Sequence, residues 1–347
     1  MKAVVLQSNH QLAVQEVEPP ALEHPNDVII AVSAAAICGS DIHAKHGLIP
    51  GIAPGTIIGH EFVGRVTQTG TGVERFTPGD RVAVPAATWC GACPACKRNQ
   101  IQYCHNGGVW GGGEIFGKGL PGAQASFVRV PHADICLTRI PENVDDAQAV
   151  FVGDVLSTGY HAALEGHIET GDTVVIFGCG PVGLGALISA WQFGPRQVFA
   201  VDMLDNRLSL AAHYGATPIH GGREDVLETV RAATRGQGAD VVLEATGNPE
   251  AFAQTLKAVR RGGRISIVGL YAGAVSLPLQ ELVYYGVQIS MGLGNLSHMD
   301  QLMGLLETGR IDLNPLVTHH FDLKDAIAAY DLFENHKDQC LKVLLHP

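Results

Sequence analysis

A chain of 347 residues that is 46% hydrophobic and carries 42 glycines is long enough for two domains with separate cores, joined by many tight turns. Its net charge of −11, with no clustered Lys and Arg, argues against a nucleic-acid partner. The N-terminus is too polar for a signal peptide, and the uncharged stretch 173–195 is broken by Gly and Pro, so a cytoplasmic protein without a membrane span is expected.

From the start to about residue 150, short β-rich runs alternate with Gly and Pro at 3–6, 27–36, 57–69, 80–85 and 125–130, which predicts a mostly β domain. The second run leads into Ile37-Cys38-Gly39-Ser40-Asp41-Ile42-His43, crowding a thiol, a hydroxyl, a carboxylate and an imidazole at a strand end. A surface loop accounts for the Ser and the Asp but not for the thiol. Further on, Cys90, Cys93, Cys96 and Cys104 are spaced C-x2-C-x2-C-x7-C. Cytosolic thiols stay reduced, so this cluster points to metal rather than to disulfides. Four thiolates close a tetrahedral zinc shell with no open position, which is a structural site. A ferredoxin-type cluster begins with the same spacing, but the longer last gap and the lack of a second cysteine set favour zinc.

Beyond about residue 170 the period changes. Strand-like runs at 173–177, 197–201, 240–244, 264–268 and 288–291, with a weaker one at 217–219, alternate with helical stretches and predict a doubly wound parallel sheet. The first run enters Gly178-Cys179-Gly180-Pro181-Val182-Gly183, a G-x-G-x-x-G between strand and helix, and Asp202 ends the next strand. Glycines let backbone approach a pyrophosphate, the helix N-terminus offers N–H groups, and the carboxylate accepts from ribose hydroxyls. Asp202 would repel a 2′-phosphate and should outweigh Arg207, so NAD is the expected dinucleotide. A last strand at 340–345 is expected to return to the first domain, which gives domains of 1–153 with 296–347 and of 154–295.

In this order, C-G-S-D-x-H from Cys38, G-H-E-x-x-G from Gly59, G-D-R-V from Gly79, the cysteine loop and the 178–183 turn resemble the zinc-dependent medium-chain alcohol dehydrogenases, the bacterial secondary-alcohol branch in particular. The likeness covers essentially the whole chain. It implies an α/β protein with a mostly β, GroES-like catalytic domain and a Rossmann domain. The implied reaction is hydride transfer between small primary or secondary alcohols and NAD, with two zincs per chain.

Residue by residue, the resemblance implies Cys38 and His60 as ligands of a catalytic zinc and Asp154 as the third, where better-known members have Cys. Glu61 stands as an alternative or fourth ligand, or as an orienting group. Ser40 and His43 match a proton relay, and Asp41 either accepts from the free nitrogen of His60 or caps a helix. On the cofactor side the resemblance implicates Thr158 in a Ser157-Thr158-Gly159 turn, Ala245-Thr246, Gly269-Leu270, and Lys342 at the pyrophosphate. Trp110, Ile115 and Leu293 stand as apolar pocket walls. A homo-oligomer is implied, the tetramer favoured over the dimer. Sorbitol-type polyol and formaldehyde-type dehydrogenases share these motifs. A non-catalytic homologue would lack a ligand or relay residue, and none is missing.

Overall fold

The computed structural model describes residues 1–347, the side chain of Glu114 excepted. The chain divides into two units, Met1–Asp154 with Asn295–Pro347, and Val155–Gly294. Asp154 therefore falls in the first unit, together with Cys38 and His60, rather than opening the second.

Unit 1 begins with β1 (Lys2–Leu6), β2 (Leu12–Glu16), β3 (Val28–Ala36), β4 (Glu61–Thr69), β5 (Arg81–Val84), β6 (Phe127–Val130) and β7 (Thr138–Arg139). Unit 2 carries β8 (Thr173–Phe177), β9 (Gln197–Asp202), β10 (Thr217–His220), β11 (Ala239–Glu244), β12 (Val259–Ile267) and β13 (Gln288–Met291). The chain then returns to unit 1 with β14 (His319–Asp322) and β15 (Val343–His346).

In unit 1, β3 is the hub. Its sequence, VIIAVSAAA, is buried at seven of nine positions, as a strand covered on both faces must be. It pairs antiparallel with β4 along its length, with β6 near its start and with β15 at its end. Because β15 ends the chain, the C-terminal segment is laid beside the end of β3, where Ile37 and Cys38 follow. The core beneath gathers Val28, Ile30, Phe62, Val82, Val84 and Trp110 among others.

Two strands lie outside the β-rich runs expected from the sequence. LAVQE in β2 has no fully buried residue, and HHFD in β14 has Phe321 as its single apolar side chain. Each is a strand because its backbone completes a ladder, β2 with β1 and β14 with β15. The other unforeseen strand, β7, is only two residues long.

Unit 2 is a six-stranded sheet in the order β10-β9-β8-β11-β12-β13, every pair parallel. The order reverses between β8 and β11, where an open α/β sheet binds ligands beyond its strand ends. Among the described residues, no helix is long and apolar enough to cross a membrane.

Candidate metal centres and dinucleotide turn

The four-cysteine lobe sits on a short packed floor of Ala86, Trp89, Ile101, Cys136 and Leu296. Its sulfurs lie close together, Cys93 to Cys96 at 3.5 Å, Cys90 to Cys104 at 3.6 Å and Cys93 to Cys104 at 3.8 Å. A tetrahedron with Zn–S bonds of about 2.3 Å has edges of about 3.8 Å, which these three separations match. Local N–H groups point at the sulfurs: Cys90 and Asn106 amides donate to Cys104 Sγ at 3.2 and 3.4 Å. Burial raises the Cys90 thiol, yet the Asn106 side chain and the nearby amides outweigh it and bring it to about 6.

The second cluster brings Cys38, His60, Glu61 and Asp154 within ligating range of one another. Three segments supply them, His60 and Glu61 being consecutive. Cys38 caps the Gly39–Lys45 helix, which begins as β3 ends. His60 precedes β4, presented by Gly59 at φ +94°, a left-handed conformation that favours glycine. Asp154 stands between the Val150–Gly153 turn and the Val155–Glu165 helix.

His60 Nε2 is 3.4 Å from Asp154 Oδ2, and Cys38 Sγ is 4.0 Å from the same oxygen. Tetrahedral zinc with N and O bonds of about 2.1 Å needs an N–O edge of about 3.4 Å. The electrostatics agree. Burial first, then the charge of Glu61, pushes the Cys38 thiol up. Burial lowers His60, but Cys38 and Asp41 outweigh it and raise the imidazole well above its ordinary value. The cluster thus draws positive charge onto its one base, and a divalent cation satisfies the same demand.

Asp41 faces His60 as expected, but it is not the helix cap. Its Oδ2 accepts from the Cys38 amide at 2.9 Å, as the third residue of the helix reaching back to the cap, while Oδ1 faces His60 Nδ1 at 3.4 Å. Cys38, not Asp41, is the cap residue. Ser40 Oγ lies 3.2 Å from His60 Nε2, on the metal side of the ring.

Lys342 is not exposed at all and is not free to meet a pyrophosphate, which corrects the sequence expectation. Its Nζ donates to Glu61 Oε1 and Oε2 at 2.7 and 2.8 Å and to Ile37 O at 3.2 Å. Burial opposes the charge, but Glu61 and Cys38 outweigh it and keep Lys342 above its ordinary value. Both Glu61 carboxylate oxygens are thus bonded to an ammonium, while the residue stays within ligating range of Cys38, His60 and Asp154. A zinc held by Cys38, His60 and Asp154 alone would keep an open position, and Glu61 as a fourth donor would close it.

In unit 2, Gly178 follows β8 at φ +92°, and a Cβ on Gly183 would lie 1.8 Å from Gly178 O. The middle glycine differs: a Cβ on Gly180 would meet only Arg207 Nη1, at 3.8 Å. No packing requires glycine there, which fits a position kept bare for a close ligand. Pro181 and Val182 open the Pro181–Ala190 helix above it. Asp202 at the end of β9 accepts from the amides of Cys179, Met203 and Leu204 at 2.7, 2.7 and 3.0 Å, with Arg207 at 3.7 Å. The acid thereby ties the glycine turn to its own strand. Thr246 packs on the same turn, since a Cβ on Gly178 would lie 2.8 Å from its Cγ2. Gly269 and Leu270 follow β12; a Cβ on Gly269 would lie 2.4 Å from Gly247 N, so the two later turns are in contact.

Ser157-Thr158-Gly159 forms no turn; all three lie within the Val155–Glu165 helix. A Cβ on Gly159 would lie 2.3 Å from the backbone of Gly185 and Ala186, so this glycine serves close helix packing. Trp110 belongs to the unit 1 core, with Nε1 donating to Pro85 O at 2.7 Å and its ring edge-on to Phe62. Ile115 is 65% exposed and Leu293 half-buried. Sequence reasoning missed Gln124 and Tyr330, whose side chains reach Asp41 through buried hydrogen bonds; no local motif marks either.

The alcohol dehydrogenase GroES-like domain model matches residues 24–142, and the zinc-binding dehydrogenase model matches residues 181–308. The chain is 36% identical to a zinc-type alcohol dehydrogenase-like protein of Bacillus subtilis, with all of both chains covered. It is 34% identical to an L-threonine 3-dehydrogenase of Bacillus velezensis, over 100% of this chain and 99% of that one. Among solved structures, the alcohol dehydrogenase of Thermus sp. ATN1 superposes with a TM-score of 0.94 at 40% identity, covering 100% of this chain and 99% of that one. The chain belongs to the zinc-dependent medium-chain alcohol dehydrogenase family.

Proposed function

We propose that this dehydrogenase oxidises small primary and secondary alcohols with NAD, and reduces the corresponding aldehydes and ketones, using a catalytic zinc held by Cys38, His60 and Asp154. The observation that carries the reading is the three-donor cluster, with Glu61 bonded to Lys342 and Ser40 beside His60. A zinc at this site supplies Lewis acidity that lowers the pKa of an alcohol hydroxyl, and NAD accepts the hydride. A second zinc in the four-cysteine lobe is structural in this reading.

The chain's own residues then handle orientation and the proton. Asp41 accepts the Nδ1 proton of His60 and leaves the Nε2 lone pair for the metal. With Nε2 so committed, the Ser40 hydroxyl is released to accept the substrate's proton. His43 follows three positions along the same helix, on the same face, and its neutral imidazole receives that proton. In unit 2 the 178–183 turn and the helix behind it take the pyrophosphate. Asp202 stands for the adenosine ribose, with Arg207 beside it and Thr158, Ala245, Thr246, Gly269 and Leu270 toward the nicotinamide half. A cytoplasmic location belongs to this reading. Exposed Val283, Tyr284 and Met291 on and before the edge strand β13 support self-association, with a homotetramer the favoured form.

A polyol substrate is the second reading, favoured by the carboxylate at position 154 that sorbitol-type relatives resemble. The deciding experiment is NAD reduction across primary alcohols, secondary alcohols and polyols, with NADP in parallel. Activity confined to polyols selects the second reading, and a clear preference for NADP sinks the role given to Asp202.

A further inference from the structure

Behind the metal cluster, unit 1 buries a polar chain that the reaction does not touch. Tyr330, 2% exposed on the Ala326–Asn335 helix, donates its hydroxyl to Gln124 Oε1 at 2.8 Å. Gln124, not exposed at all, donates Nε2–H to Asp41 Oδ2 at 3.1 Å and to Ala36 O at 3.3 Å. Asp41 in turn faces His60 Nδ1 at 3.4 Å. Four side chains from four segments thus run inward to a metal ligand.

The direction of each bond is determined. Turned over, the Gln124 amide would set its oxygen against a carboxylate and a carbonyl, with no proton between them. Its nitrogen must therefore face Asp41 and Ala36, and its oxygen must receive a proton from Tyr330. Burial, then the nearby Asp41 charge, holds that phenol well above its ordinary range, so it stays a donor. Oδ2 of Asp41 accepts from Gln124 and from the Cys38 amide, which leaves Oδ1 for the Nδ1 proton of His60. The His60 backbone is also shaped around this side chain: a Cβ on Gly59 would lie 2.4 Å from Gln124 Cγ.

We infer that Gln124 and Tyr330 are positioning residues for the catalytic metal, fixing Asp41 and through it the tautomer and orientation of His60. They thereby set how tightly Cys38, His60 and Asp154 hold their ion. The inference rests on the proposed zinc at that cluster.

The four-cysteine lobe of the same chain provides the internal control. Full-length protein loaded with zinc, and separately with cobalt, is challenged with a chelator while released metal and cobalt absorption are followed. The wild type should release its two ions in two kinetically distinct steps; a single bound ion defeats the metal reading and this inference with it. Gln124→Met keeps the volume and removes the hydrogen bonds. It is expected to speed loss of the catalytic-site ion about tenfold and to shift that site's cobalt spectrum, with the lobe ion unchanged. Tyr330→Phe should act in the same direction by a smaller factor. Release of both ions at wild-type rates, or equal acceleration of both, overturns the inference. Should Gln124→Met fail to fold, Tyr330→Phe decides alone: selective acceleration supports the inference, and a wild-type rate overturns it.

Discussion

The two metal clusters of unit 1 hold their donor atoms at similar separations, yet they are built in opposite ways. The lobe takes all four ligands from residues 90–104, and the amides of that same loop point at its sulfurs. The other cluster gathers Cys38, His60 and Asp154 from three distant segments and is braced by Asp41, Gln124 and Lys342. The first arrangement would close around a metal with four thiolates, so an ion there would support the fold. The second, in the proposed reading, would leave a metal one open position for a substrate, and its geometry depends on buried groups far along the chain. Local construction gives stability; construction from distant segments gives a site that can be tuned.

The largest effects should separate the two clusters cleanly. Asp154→Ala is expected to lower kcat/KM for alcohol oxidation by about three orders of magnitude, about 4 kcal/mol of transition-state stabilisation, with the melting temperature nearly unchanged. Cys93→Ser should do the reverse in kind: loss of the lobe's metal and a large fall in melting temperature, since structural zinc binding is worth about 10 kcal/mol or more to a small metal-folded element. Full activity in Asp154→Ala would remove that carboxylate from the ligand set. A Cys93→Ser protein as stable as the wild type would make the lobe dispensable.

How much of each cluster can be read in sequence follows from the same contrast. The lobe is legible because its spacing is its geometry. The strands β8, β9 and β11 are legible too, as buried apolar runs ending at Gly178, Asp202 and Ala245. Lys342 is not. It lies 281 residues from Glu61, and nothing near it in sequence signals that the residue just before β15 reaches that carboxylate. Gln124 sits before β6 in a stretch without a motif. Gly159 misled in another way, since a glycine that permits a turn equally permits two helices to touch. Short-range chemistry can be read residue by residue, whereas pairings closed by the last strand require the fold.

An intermediate effect tests whether the open cluster also bears on stability. Lys342 and Glu61 are both fully buried. Lys342→Met leaves an uncompensated carboxylate and is expected to destabilise unit 1 by about 3–5 kcal/mol in urea unfolding. Combining it with Glu61→Leu should recover most of that loss, because the pair is then replaced by apolar volume. If the double variant remains as unstable as the single, the damage is one of packing rather than of an orphaned charge. Recovered stability with reduced activity would show that the held anion serves the site and not the fold.

The smallest effect expected is a pH dependence that the lobe, once filled, has no means to produce. An open site that oxidises an alcohol must release a proton, and His43 is proposed to receive it. Burial first, then the positive charges of His46 and Lys337, lowers His43 below its ordinary 6.5. Lys45, which ends that helix, and His46, which follows it, are themselves paired with Glu334, at 2.6 and 2.5 Å. The imidazole is therefore neutral at pH 7, and alcohol oxidation should fall as pH drops through its lowered value. His43→Ala should reduce the rate about tenfold at neutral pH and flatten that acid limb, with imidazole buffer restoring part of the rate. Stability has a matching sign: the unfolded chain binds this proton more readily, so the fold loses stability as pH falls from 6.5 toward the folded value. His43→Ala should lose that part of the acid sensitivity as well. Metal release from the lobe in acid would appear separately, as free zinc rather than as a reversible change in rate. An unaltered acid limb in His43→Ala would end the case for this residue and send the proton out by another route.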